Sequence, residues 1–225
     1  MVGLGPSGAF PPEPPTDCRL CPRLVDFRDS NADQHPDWFN APVPSFGNND
    51  AQFLIVGLAP GLQGANKTGR PFTGDYAGDL LYETLSQFEF SKGTYLSRAD
   101  DGLSLVNAMI TNAVRCVPPQ NKPTGPEANN CRPFLVSRIQ SLDHLKVILA
   151  LGKIAHDAVI RAFSGKLSQY KFAHGAKHAL PKSKAVLFDS YHCSRYNTNT
   201  GRLTREMFFS VFTDIKSYIE DPVEH

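Results

Sequence analysis

Cys18 and Cys21 stand in the stretch Cys-Arg-Leu-Cys-Pro, a spacing that lets two thiolates reach one metal centre. Two more of the chain's five cysteines, Cys116 and Cys131, have fourteen residues between them and a proline close behind each, while Cys193 lies far downstream. Four converging thiolates can hold an iron–sulfur cluster. They can also hold zinc, although zinc ribbons usually bring a second tight pair that is missing here. Unconnected thiols are the third reading. A disulfide is disfavoured, because the chain reads as intracellular, where thiols stay reduced.

A second set of chemistry-bearing residues follows an apolar run. Val56 to Asp75 read VGLAPGLQGANKTGRPFTGD, with five glycines and a single acid, Asp75, at the far end. Gly61 to Thr68 has the outline of a phosphate-cradling loop. Asn66 replaces the glycine that such a loop needs, and the G-x-G-x-x-G pattern of dinucleotide sites is missing. Glycines at this density let backbone N–H groups approach a flat polar ligand, or they serve a permissive turn alone. Two further loops mix polar, aromatic and basic groups: NAVRCVPPQNKP, with Asn121, and HCSRYNTNTGRLT, with His192, Arg195, Tyr196 and Arg202.

These loops need a frame. Apolar runs at Gln52 to Gly57, Ser104 to Thr111, Lys146 to Gly152 and Ala185 to Tyr191 have the pattern of strands buried on both faces. Helical patterns follow at Asp79 to Phe88, Pro126 to Leu142, Lys153 to Phe163 and Leu203 to Ile219, the last with Thr204 as a possible cap. Strand and helix alternate, which predicts an α/β fold with a parallel sheet, right-handed crossovers and helices on both faces. Ligands in such folds sit beyond the C-terminal strand ends, where the three unusual loops emerge.

The 225 residues suit one globular unit over 17–225, preceded by a Pro- and Gly-rich leader over 1–16 that reads as disordered. No apolar run is long enough to span a membrane, and a secretory signal is absent. The net charge is only +1, but nine Lys and Arg stand against one acid between Ala158 and Arg205, so that stretch carries +8 and the remainder −7. A basic half facing a polyanion and a merely solvated face are both compatible with this.

The stretches GLAPG...NKTGRPFTGD, RCVPPQNKPT and HCSRYNTNTGRLT, in this order and with this cysteine spacing, resemble the family 5 uracil-DNA glycosylases, from about Cys18 to Ile219. The resemblance implies a three-layer α/β/α sandwich around a four-stranded parallel sheet and a [4Fe-4S] cluster on Cys18, Cys21, Cys116 and Cys131. It implies hydrolysis of the N-glycosidic bond of uracil, hypoxanthine and xanthine in DNA after base flipping, leaving an abasic site. In the best-known branch of that superfamily the first loop reads G-Q-D-P-Y. Here Ala59 stands at the acid's position between Gly57 and Gly61, and the acid role passes to Asp75. His192 would stabilise the departing base, and Phe72 and Asn121 would stack on and read it beside Gly57, Ala59 and Gly61. Arg195, Tyr196 and Arg202 would contact DNA. Gly61, lacking the tyrosine ring of the other branch, would leave room for larger bases. The expected enzyme is a cytoplasmic monomer, nucleoid-associated if bacterial, acting on DNA with deaminated bases. Gln63, Tyr196 and Cys193 depart from the family's usual residues, and His174 has no assigned role. A catalytically inactive lesion-binding protein of the same fold and a metal-dependent nucleotide enzyme are the rival readings.

Overall fold

The computed structural model describes residues 11–221. In chain order it contains helix α1 (Pro22–Gln34), strands β1 (Phe46–Gly47) and β2 (Phe53–Gly57), helices α2 (Ala65–Thr68) and α3 (Tyr76–Gln87), and strands β3 (Ser91–Lys92), β4 (Ser104–Leu105) and β5 (Ala108–Asn112). Then come helix α4 (Gly125–Gln140), strand β6 (Val147–Leu151), helix α5 (Lys153–Ala162), strands β7 (Lys177–Ala179) and β8 (Val186–Ser190), and helices α6 (Arg195–Asn199) and α7 (Arg205–Glu220).

The main sheet has six strands in the order β1-β5-β2-β6-β8-β7. Its four inner strands are mutually parallel, while β1 and β7 pair antiparallel at the two edges. The expected four-stranded parallel sheet is therefore its centre, and the edges correct the strand count. Two and three residues long, the edge strands carry no apolar run that could announce them. Strand β5 also begins later than the apolar pattern does. Asn107 takes a left-handed φ of 52° just before it, and Ser104–Leu105 turns away to pair with β3.

Side chains alternate faces along each inner strand, and the two cores follow that period. Phe53 and Ile55 of β2 pack with Leu81 and Leu85 of α3 and Phe208, Phe212 and Ile215 of α7. Leu54 and Val56 face the other way, towards Leu135 and Ile139 of α4 and Ala155, Val159 and Ile160 of α5. This is the three-layer arrangement. Thr204 caps α7 by accepting the Met207 N–H, and Thr124 and Glu127 close a reciprocal capping box on α4.

Helix α1 escaped the sequence reading because it buries mainly Leu24, Val25, Arg28 and Asn31, too few apolar groups to show a stripe. It starts at Pro22, immediately after Cys21, with proline at the first helical position. The expected disordered leader needs correction over 11–16. Glu13 accepts hydrogen bonds from Arg115, Arg138 and the Ser45 N–H, and so fastens this segment to the fold. Its first ten residues lie outside the described residues.

Candidate active site

Strands β5 and β2 are neighbours, with β8 beyond β6, and the loops that leave β2, β5 and β8 at the same edge enclose a cleft of about 370 Å³. Its walls include Ala59, Gly61, Ala65, Phe72, Asp75, Ala77, Asn112, Asn121, His192 and Arg195. Asp75 occupies the N-cap of α3, yet its side chain makes no capping bond to that helix. The carboxylate turns back to the β2 loop and accepts the Ala65 N–H. A Cβ on Gly61 would lie 2.5 Å from Asp75 Oδ2, and one on Gly64 only 2.0 Å from Asp75 Cγ. Two glycines thus leave the space that the carboxylate fills, which is why an acid far along the loop can reach the strand end. Burial raises its pKa, and the Ala65 N–H partly offsets this.

The turn that delivers Asp75 is held from behind. Phe72 adopts φ 55°, an uncommon conformation for a bulky residue, and its ring lies against Gly57, where a Cβ would come within 2.6 Å of Phe72 Cζ. Tyr82 donates to Pro71 O at 2.7 Å, and Tyr95 donates to Phe72 O at 3.2 Å. Arg70 donates to Thr73 Oγ1 and makes a two-pronged pair with Asp101, both bonds 2.7 Å. The Arg70 guanidinium lies over the Phe46, Tyr82 and Tyr95 rings. Gly78 completes the support, since a Cβ there would collide with Phe72 O at 1.8 Å.

Opposite Asp75, His192 follows β8, its backbone oxygen held by Asn197 Nδ2 at 2.8 Å and its ring 6.0 Å from Phe72's. Burial pushes its pKa down to about 4, so the imidazole is neutral near pH 7. Asn112, the last residue of β5, lies on the cleft floor with a buried side-chain oxygen that has no hydrogen-bond partner.

Comparison with known proteins places the chain in a family. Residues 44–216 match the family model of the uracil DNA glycosylase superfamily. The chain belongs to the uracil-DNA glycosylase superfamily. The glycosylase is 44% identical over 206 residues to a type-5 uracil-DNA glycosylase of Thermus thermophilus, covering 89% of this chain and 93% of the relative. A type-5 enzyme of Mycobacterium leprae is 40% identical, over 88% of this chain and 90% of its own. One of Pyrobaculum aerophilum is 35% identical, over 86% and 85%.

The glycosylase brings Ala59, Gly61, Phe72, Asp75, Asn121, His192 and Arg195 into one cleft, with Gly57 beneath Phe72. Asn121 is an exposed rim residue with φ 57°, whereas Asn112, which the sequence reading passed over, supplies the floor. Its signal was a polar side chain ending an otherwise apolar strand. Tyr196 and Arg202 lie outside the lining: Tyr196 is 71% exposed, and Arg202 rests on the Tyr191 ring. Arg195 lies over Tyr76. The basic stretch is partly neutralised, as Arg205 pairs with Glu83 and Lys177 with Asp214. His174 accepts the Tyr191 N–H, a structural bond beside the cleft. Gln63 is exposed.

A second cavity is lined by Cys18, Cys21, Cys116 and Cys131, with Leu24, Phe134 and Pro14 around them. Three N–H donors point at its sulfurs: the Arg115 backbone at Cys131 (3.4 Å), Asn130 at Cys21 (3.7 Å) and Arg28 at Cys116 (3.8 Å). Cys193 is elsewhere, buried against Ala77 O. Among the described residues no helix is long and apolar enough to cross a membrane.

Proposed function

We propose that this glycosylase hydrolyses the N-glycosidic bond of uracil, hypoxanthine and xanthine in DNA, after the nucleotide is extruded into the cleft, and leaves an abasic site. The observation that carries this reading is the convergence of three groups. A buried carboxylate, a neutral imidazole and an unpartnered amide oxygen meet at the C-terminal edge of one sheet. Deamination converts a ring nitrogen that accepts a hydrogen bond into an N–H that donates one. Asn112 Oδ1, lacking any donor of its own, fits that N–H and leaves cytosine or adenine unsatisfied. Phe72 offers the stacking surface, and Asn121 closes over the rim.

As the bond breaks, negative charge grows on the base and positive charge on the sugar. The neutral His192 N–H donates to a base carbonyl and stabilises the leaving anion. Asp75 directs the attacking water and balances the sugar's charge. Arg195, Tyr196 and Arg202 provide the DNA contacts.

Small side chains at Ala59, Ala65 and Ala77 support a broad substrate range. Gly61 does not leave the room that the sequence reading expected, because the space above its Cα is filled by Asp75. Single-turnover excision from duplexes carrying uracil, 5-hydroxymethyluracil, hypoxanthine or xanthine, followed by alkaline cleavage, tests the reading. Product from all four is expected, in graded amounts, since shape selection is worth only about 1–3 kcal/mol per methylene-sized group. Activity on uracil alone would reject the broad range. Binding without product would favour the inactive lesion-binding protein.

The pH profile follows from the two titrating groups. Excision requires ionised Asp75, so kcat/KM climbs with pH through a pKa above that of an ordinary aspartate. His192 works as the neutral form, having lost its proton near pH 4, so no decline is expected as pH passes through neutrality. A rate that falls there would show that protonated His192 is the working form.

The four thiols support a [4Fe-4S] cluster. The second tight cysteine pair usual in zinc ribbons is missing, since fourteen residues separate Cys116 from Cys131. The N–H···S bonds would stabilise thiolate charge, and the cluster would cross-link the start of α1 to the β5 loop and α4. Iron and acid-labile sulfide are expected after anaerobic preparation, lost in Cys116→Ser and kept in Cys193→Ser. Stoichiometric zinc without iron would overturn the assignment.

A further inference from the structure

The face of the sheet covered by α4 and α5 carries an opening that the reaction does not use. It is a groove of about 260 Å³ between those two helices. Leu58 walls both this groove and the catalytic cleft, so the two are neighbours along the C-terminal edge of the sheet. Gly125 and Ile154, in the first turns of α4 and α5, also line it. Both helices begin at that edge and turn their positive ends towards it. A Cβ on Gly125 would touch nothing within 4 Å, and Ile154 is 55% exposed, so the mouth is open.

About two turns along each helix, Arg132 and Arg161 face the same space. Arg132 donates to Asn129 Oδ1, and neither arginine forms an ion pair among the described residues. Burial and then the Arg161 charge lower the Arg132 pKa. The acid that lines the groove, Asp157, is held by Lys153 at 2.6 Å. Two guanidiniums thus share one groove with the apolar Ala128, Leu135 and Ala158, and its acid is paired with Lys153.

We propose that this groove is an anionic subsite that receives the sugar–phosphate backbone of the DNA strand to one side of the extruded nucleotide, with Arg132 and Arg161 contacting phosphates. The inference rests on DNA being the substrate, as proposed above. Helix rise places the arginines roughly 10–12 Å from the mouth, so their contacts fall within a few nucleotides of the lesion. The groove has no group to recognise a base, and its role is to position the strand.

The experiment measures affinity of the full-length protein for a long duplex carrying one uncleavable 2′-fluoro-2′-deoxyuridine, over a salt series. Arg132→Gln and Arg161→Gln should each weaken binding about 3- to 10-fold and flatten the log–log salt slope by about one. Arg132→Lys and Arg161→Lys keep the charge and should keep the slope. On a duplex that ends close to the lesion on both sides, variants and wild type should bind alike. The single-turnover excision rate at saturating DNA should stay at the wild-type value in every variant. A double Gln variant that matches wild-type affinity and slope on the long duplex, while excision persists, overturns the subsite alone. A wild-type protein that neither binds nor cleaves uracil duplex overturns the functional reading, and the subsite with it.

Discussion

Asp75→Asn is expected to lower the single-turnover excision rate by at least about 100-fold while lesion binding survives. Losing one aligned electrostatic group typically costs roughly 3–4 kcal/mol of transition-state stabilisation, and asparagine keeps the shape but not the charge. The glycines that admit the carboxylate extend this prediction. A Cβ at Gly64 would sit 2.0 Å from Asp75 Cγ, so Gly64→Ala must push the carboxylate away from the Ala65 N–H and should approach the Asp75→Asn defect. The check is a rate measurement with saturating enzyme beside a binding isotherm. A near-wild-type rate in Asp75→Asn would remove Asp75 from the chemistry, and one in Gly64→Ala alone would show that the carboxylate can act from a second position.

Asp101→Asn is expected to combine the largest loss of stability with a loss of activity. The Asp101 side chain is wholly buried, and Arg70, itself buried, relies on it for the bonds of both terminal guanidinium nitrogens. The Asp101 carboxylate also accepts the Leu96 and Leu103 N–H groups, and the Arg70 hydrogen bonds above all hold it well below the usual carboxylate range. Breaking a buried pair from one side costs about 3–5 kcal/mol, because the other charge is left buried without its partner. For a chain of this size that is a fall on the order of 10 °C in Tm. Since Arg70 also braces Thr73, the strained Phe72 turn should loosen and excision should fall even at temperatures where the variant remains folded. Thermal denaturation with circular dichroism, paired with excision well below the transition, checks both halves. An unchanged Tm would mean that Arg70 is satisfied by its aromatic neighbours alone.

Some of this molecule was legible in residues close together in sequence. The four apolar runs became the four inner strands, because a strand buried on both faces must be apolar throughout. Thr204 was legible as a cap because capping spans only three residues. The thiols and Asp75 were legible through motif order, although the bare sequence left zinc and cluster open and could not say how an acid at the end of the loop returns to the strand.

The remainder depended on contacts between distant residues. Glu13 looked like part of a coil until Arg115 and Arg138, about a hundred positions away, were seen to bind it. The edge strands β1 and β7 exist because β5 and β8 offer open hydrogen-bonding edges, not because of their own composition. Gly61 and Gly64 resembled flexible turn residues, yet the folded chain shows that they clear space for Asp75. Asn112 read as the first residue of a loop until pairing with Gly57 made it the end of β5 and set its unpartnered oxygen in the cleft with Phe72 and His192. Local sequence determined which segments are strand or helix, because those preferences act over a few residues. Tertiary structure decided which polar groups are buried together, because desolvation and charge depend on neighbours that only folding supplies.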